Sequence, residues 1–164
     1  MLNKIASQFR KPVGFLGKIV SRIMVKRNRI AIEKLIKNLD IRQNIRLFEI
    51  GYGPGIAAKI IASSYNSCHI TGIDFSELMY NKASKLNSKF IKQNRMSLFY
   101  GDFIEKEINA KEFDIVYCIN LVYFWDNLQK PFEKIKSLLK NDGVFCFYMA
   151  SAVDLNKIKF TKGN

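Results

Sequence analysis

Three glycines alternate at Gly51, Gly53 and Gly55, directly behind the apolar run Leu47-Phe48-Glu49-Ile50. Glycines spaced like this after a buried strand bring bare backbone against a ligand, because a side chain there would fill the ligand's space. The spacing is G-x-G-x-G. A dinucleotide fingerprint needs its third glycine one residue later, where this chain has Ile56. Glu49, two residues ahead of Gly51, would repel a pyrophosphate and suits a cationic ligand. Three further polar signals follow. Asp74 stands 23 residues after Gly51, then come Gly101-Asp102-Phe103 and Cys118-Ile119-Asn120. Asp74 can accept hydrogen bonds from both hydroxyls of a ribose, and Asp102 can accept one from an exocyclic amine. Phe75 and Met79 offer apolar contact to a flat base. Together these residues imply an adenosine carrying positive charge near the glycines, which S-adenosylmethionine supplies and a nicotinamide dinucleotide does not.

Those residues need a scaffold that brings them to one place, and the hydrophobic periodicity predicts one. Apolar pairs at Phe15/Leu16, Ile19/Val20 and Ile23/Met24, with Lys18, Arg22 and Lys26 on another face, read as a basic amphipathic helix. A second helix carries Ile30, Ile32, Leu35, Ile36 and Leu39. Strands are then expected at 46–50, 69–73, 96–100, 113–119 and 144–150, separated by helices. Those helices run over 55–65, from an N-cap at Ser76 through Met79, Ala83, Leu86 and Phe90, and from Pro131 through Phe132, Ile135, Leu138 and Leu139. Asn141-Asp142-Gly143 reads as a turn before the last strand. The strands are apolar on both faces and alternate with helices, a pattern that calls for a parallel α/β sheet covered on both sides. In such a sheet the carboxyl ends of the strands converge on one crevice, and every polar signal above falls at such an end.

The segments Glu49-Ile50-Gly51-Tyr52-Gly53-Pro54-Gly55, Gly72-Ile73-Asp74-Phe75-Ser76, Tyr100-Gly101-Asp102 and Phe113-Asp114-Ile115-Val116 resemble the successive motifs of class I S-adenosylmethionine-dependent methyltransferases. Asn120-Leu121-Val122-Tyr123-Phe124-Trp125 and Leu138-Leu139-Lys140-Asn141-Asp142-Gly143 resemble the small-molecule subgroup that includes ubiquinone/menaquinone-biosynthesis enzymes. The resemblance covers about residues 9–150. It implies a Rossmann-like, doubly wound sheet of five mainly parallel strands in the order 3-2-1-4-5, with N-terminal helices. It also implies S-adenosyl-L-methionine as cofactor and a small-molecule methyl acceptor. Gly51, Gly53 and Gly55 would bed the methionine part, with Glu49 and Tyr52 also among the cofactor-binding residues. Asp74 would bind the ribose, Phe75 and Met79 would flank the adenine, Asp102 and Phe103 would bind its edge, and Asn120 would line the pocket near the reacting methyl. The family's sheet normally continues with a helix and two more strands, for which Ser151–Asn164 is too short. The fifth strand is therefore expected to leave an apolar edge open to a second copy of the chain.

Bulk properties bound the reading. With 164 residues, 48% hydrophobic, the chain suits one soluble domain, with 1–45 as a basic helical cap on a cofactor-binding unit at 46–164. No apolar stretch reaches the ~20 residues that span a bilayer, and Lys4, Arg10, Lys11 and Lys18 interrupt any secretory signal. Residues 1–32 hold eight Lys/Arg and no acid, which keeps a transit peptide open beside a cytoplasmic location. Cys68, Cys118 and Cys146 lack ligand spacing and read as buried thiols in a reducing compartment, and His69 has no ligand set around it. Of the net charge of +13, residues 1–46 contribute +10. That segment can cap the cleft, contact an anionic membrane surface or attract nucleic acid, the last disfavoured because no aromatics are interleaved with its charges. The Asn-Pro-Pro-Tyr signature of base-amine methylation is absent after strand four, which weighs against a base-amine substrate and leaves an RNA-directed methyltransferase acting at other positions as an alternative. A truncated or non-catalytic cofactor-binding domain is the alternative to an active enzyme.

Overall fold

The computed structural model describes residues 29–109 and 111–149. The basic amphipathic helix expected at 15–26, with its cap, membrane and targeting readings, lies outside the described residues, as does the segment after 149. The described chain opens with helical residues 29–38 (α1). Then follow β1 (Arg46–Ile50), α2 (Ile56–Ser64), β2 (His69–Asp74), α3 (Glu77–Leu86), α4 (Ser88–Lys92), β3 (Met96–Tyr100), β4 (Phe113–Ile119), α5 (Gln129–Leu138) and β5 (Leu139–Tyr148). A single 3₁₀ turn at Val122–Phe124 sits between β4 and α5.

The five strands form one sheet in the order β3-β2-β1-β4-β5, and every neighbouring pair is parallel. The expected α/β class and strand order are therefore what the chain adopts. Because side chains alternate along a strand, β1, β2 and β4 each feed two cores. Leu47, Ile70, Ile115 and Tyr117 face α1, α2 and Phe90, while Phe48, Ile50, Ile73, Val116 and Cys118 face Ile135 and Leu138 of α5. Phe48 is fully buried and meets Phe113 edge-on at 4.9 Å between centroids, a contact worth about 0.5–1.5 kcal/mol beyond its buried area.

Two elements differ from the expected pattern. The single helix expected from Ser76 through Phe90 is broken at Asn87. That residue is completely buried and turns its amide inward, where Nδ2 donates to the Ala83 and Gly55 carbonyls at 3.0 and 3.1 Å. Asn141-Asp142-Gly143 is not a turn ahead of the last strand but an irregularity within it. Phe113 pairs with Leu139 and Ile115 with Val144, so two steps along β4 oppose five along β5. A Cβ at Gly143 would lie 2.9 Å from the Phe113 carbonyl, so only glycine fits the bulge. β5 stands at the sheet edge with Val144 and Phe147 about half exposed, 50% and 48%.

Candidate functional site

The parallel register sets the carboxyl ends of β1, β2, β3 and β4 side by side, and the chain leaves β1, β3 and β4 through positive-φ backbone. After β1, Gly51, Gly53 and Gly55 are all left-handed, with φ of +69°, +54° and +76°. The Gly51 N–H is held by the Ile73 carbonyl at 2.8 Å, which ties this loop to the end of β2. After β4, Asn120 is also left-handed at φ +53°. Its N–H donates to the Tyr148 carbonyl at 2.7 Å, so β5 fixes that turn. Left-handed non-glycine residues are uncommon outside Asn and Asp and recur at functional sites.

Asp74 is the centre of the crevice. Its carboxylate is 6% exposed and accepts from the Gly53 N–H through Oδ2 and from the Ser76 N–H through Oδ1, each at 2.8 Å. Burial pushes its pKa up to about 6, against those two bonds, which favour the charged form. Gly51, Gly53, Asp74, Phe75 and Met79 share one cavity with Asp102, Phe103 and Asn120, so eight of the eleven residues singled out in the sequence converge there. Asp102 heads a tight turn in which its Oδ1 accepts from the Ile104 N–H at 2.7 Å. The opposite wall is apolar. Leu121 approaches to 3.1 Å of where a Gly51 Cβ would stand, and the 3₁₀ turn brings in Phe124 and Trp125. The sequence reading missed that wall. The post-strand-four segment Asn120–Trp125 was the available signal; Tyr123 of that segment lies outside the cavity, 41% exposed, with burial pushing its pKa up to about 12.

Glu49, Tyr52 and Gly55 do not line the cavity. Glu49 shares the Leu47 face, where it is 3% exposed, and it accepts from the Tyr117 hydroxyl at 3.0 Å and from the Ala58 N–H. Burial lifts its pKa to about 8 in the ligand-free protein, against the Tyr117 and Ala58 bonds, which favour the charged form. Tyr52 is buried against Gly72 and donates its hydroxyl to the Phe99 carbonyl at 2.9 Å. Gly55 caps α2, and a Cβ there would stand 2.6 Å from Asn87 Nδ2 and 2.9 Å from Ala83 Cβ, so packing of α3 excludes a side chain. Gly53 is the converse. A Cβ there would meet no protein atom within 4 Å. That open space beside a buried carboxylate has room for an adenosine-bearing cofactor, and the residues around it fit one: side-chain-free backbone at Gly51 and Gly53, acceptors at Asp74 and Asp102, and apolar flanks at Phe75 and Met79. His69 starts β2, at the other end of the sheet.

Known proteins agree with this geometry. The family described as methyltransferase domain matches residues 47–143, more than half of the chain. A sterol 24-C-methyltransferase of Debaryomyces hansenii is 27% identical over 114 residues, covering 70% of this chain and 30% of that enzyme. An uncharacterised methyltransferase of Bacillus subtilis is 27% identical over 125 residues, covering 76% of this chain and 67% of its own length. Among solved structures, Haemonchus contortus phosphoethanolamine N-methyltransferase 2 in complex with S-adenosyl-L-methionine superposes with a TM-score of 0.68 at 22% identity, over 82% of this chain and 33% of that one. The [4+2]-cyclase SpnF superposes at 0.65 with 18% identity, over 72% of this chain and 43% of that one, so the fold also hosts other chemistry. This chain spans about 30% of the length of the sterol enzymes it matches. By its motifs, its parallel 3-2-1-4-5 sheet and the family match over its central residues, the chain belongs to the methyltransferase domain family, in the class I S-adenosylmethionine-dependent group.

Proposed function

We propose that this chain binds S-adenosylmethionine in the crevice, with the methionine part over Gly51 and Gly53 and the ribose on Asp74, and directs its methyl group to a small apolar acceptor. The observation that carries the reading is the Asp74 carboxylate locked to the Gly53 N–H beside open space. Each Asp74 oxygen spends one acceptor site on a backbone N–H and keeps another for a ribose hydroxyl. Phe75 and Met79 flank the base, and Asp102 faces its edge. When bound, the cofactor would supply a sulfonium methyl open to in-line attack by an acceptor nucleophile, the methyl–sulfur bond breaking as S-adenosylhomocysteine leaves.

The work left to the protein is orientation and exclusion of water, which can contribute roughly 7–11 kcal/mol in favourable cases. Leu121, Phe124 and Trp125 form the wall that would do this. Among the described residues, the cavity's only ionisable side chains are Asp74 and Asp102, and both are engaged in backbone turns. The reading therefore favours an acceptor that attacks without prior loss of a proton, such as an alkene or a neutral amine. The apolar wall and the sterol-methylating relatives support an acceptor soluble in lipid. Methyl-labelled cofactor incubated with the purified chain and a cell extract tests this. Label should appear in the organic-solvent fraction. Label confined to polar metabolites overturns the apolar acceptor, and binding without any transfer overturns turnover and favours a cofactor-binding domain.

A further inference from the structure

After Tyr100 the chain turns through Gly101 and carries Asp102, Phe103 and Ile104 into the crevice wall. Within that turn the Asp102 carbonyl accepts from the Lys106 N–H at 3.0 Å, and its carboxylate accepts from the Ile104 N–H. The carbonyls of Ile104 and Lys106 are taken up by α5. Lys134 Nζ donates to both, at 2.7 and 2.6 Å. The same ammonium stands 5.4 Å from the centroid of the Phe103 ring. That ring is 7% exposed and stacks on Trp125 at 6.4 Å and 26°. One side chain thus holds residues 103, 104 and 106 at once, using two of its three N–H donors on carbonyls and its charge on an aromatic face. Burial pushes the Lys134 pKa down, opposed by Glu105, Asp102 and Glu107, which surround it with negative charge.

We propose that Lys134 is a positioning residue for the adenine end of the cofactor: it clamps the Asp102–Lys106 turn from α5 and so sets where Asp102 and Phe103 stand in the crevice. The inference rests on the cofactor reading above. Lys134 does not line the cavity and touches no ligand; it acts through the loop. Without the ammonium, two carbonyls lose their donor and the turn loses its only tie to α5 among the hydrogen bonds of the described residues. Charge-assisted bonds of this kind are about twice as strong as neutral ones, so the turn should loosen while the rest of the sheet is unaffected.

The test compares the wild-type chain with Lys134→Met and Lys134→Arg. Calorimetry measures binding of S-adenosylhomocysteine and of its hypoxanthine analogue, S-inosylhomocysteine, which lacks the exocyclic amine. The wild type should prefer the adenine ligand. Lys134→Met should weaken S-adenosylhomocysteine binding about tenfold and erase most of that preference, and Lys134→Arg should restore both. Amide hydrogen exchange at residues 104–107 should quicken in the Met variant and slow again in the Arg variant. Lys134→Gln, read in the same way, serves if the Met variant fails to fold. A folded Met or Gln variant with unchanged preference overturns the proposal, and so does an equal loss for both ligands with unchanged exchange at 104–107. A folded wild type that binds neither ligand overturns the cofactor reading and this proposal together, whereas a binding wild type matched by its Met variant overturns this proposal alone.

Discussion

Replacing Asp74 by Ala separates binding from folding. In the free protein the buried carboxylate is a burden, since raising its pKa from 3.8 to about 6 costs the folded state about 3 kcal/mol at pH 7. Removing it relieves that cost but strips an acceptor from the Gly53 and Ser76 N–H groups, each loss worth about 1–3 kcal/mol. The two effects partly offset, so the variant should lose at most about 3 kcal/mol of stability. Binding has no such offset. Losing a charge-assisted pair of bonds to the ribose, about 1.5–3 kcal/mol, should weaken S-adenosylhomocysteine binding roughly tenfold to a hundredfold. The pH dependence adds a sign. The folded carboxylate holds its proton longer than the unfolded one, so in the free protein its effect on stability is least unfavourable below about pH 4 and fully unfavourable above about pH 6. A ligand that donates to the carboxylate binds only the ionised form. Wild-type affinity should therefore be flat above about pH 7 and fall towards tenfold per pH unit below about 6, and the Ala variant should lose this dependence. Calorimetry across pH 5–8, with thermal melts as control, measures both. A folded Asp74→Ala protein binding within twofold of the wild type at pH 7.5 would refute the reasoning.

The three glycines should part company. Gly53→Ala should cost about 1–2 kcal/mol of stability for its left-handed backbone yet abolish most cofactor binding, because its Cβ enters space left open by the protein. Gly55→Ala should do the reverse, losing about 2–4 kcal/mol by driving a methyl into Ala83 and Asn87 while any protein that still folds binds normally. Glu49→Gln should leave binding within about twofold. Because the Glu49 pKa is raised from 4.5 to about 8, wild-type stability falls as pH rises through that window, and the Gln variant should lose that slope in melts from pH 5 to 8.5. Tyr117→Phe should cost about 1 kcal/mol in denaturant titrations without changing affinity, since its hydroxyl donates to the buried Glu49, away from the cavity.

The sheet was readable because β1, β2 and β4 are apolar on both faces, which only a doubly covered parallel sheet accommodates. Asp74, Asp102 and Asn120 were readable for the same reason, since strand ends in such a sheet meet at one edge. What the sequence left hidden depends on partners far along the chain. Glu49 sits two residues before the glycines, but the face it takes is decided by α2 and Tyr117, 68 residues on. Gly55 looks identical to Gly53 until Ala83 and Asn87 are packed against it. Asn141-Asp142-Gly143 has turn chemistry, yet pairing with β4 draws it into the strand as a bulge. Lys134 reads as one more surface lysine of an amphipathic helix, and only the loop after β3 shows what it holds.

The most direct measurement is a crystal structure of the chain grown with S-adenosylhomocysteine. The account predicts the ribose hydroxyls within hydrogen-bond reach of Asp74, the base between Phe75 and Met79 with its amine towards Asp102, and the amino-acid end over Gly51 and Gly53, with Glu49 still paired to Tyr117. A ligand bound away from the Asp74 carboxylate, or a folded chain that crystallises without the ligand at saturating concentration, would contradict it.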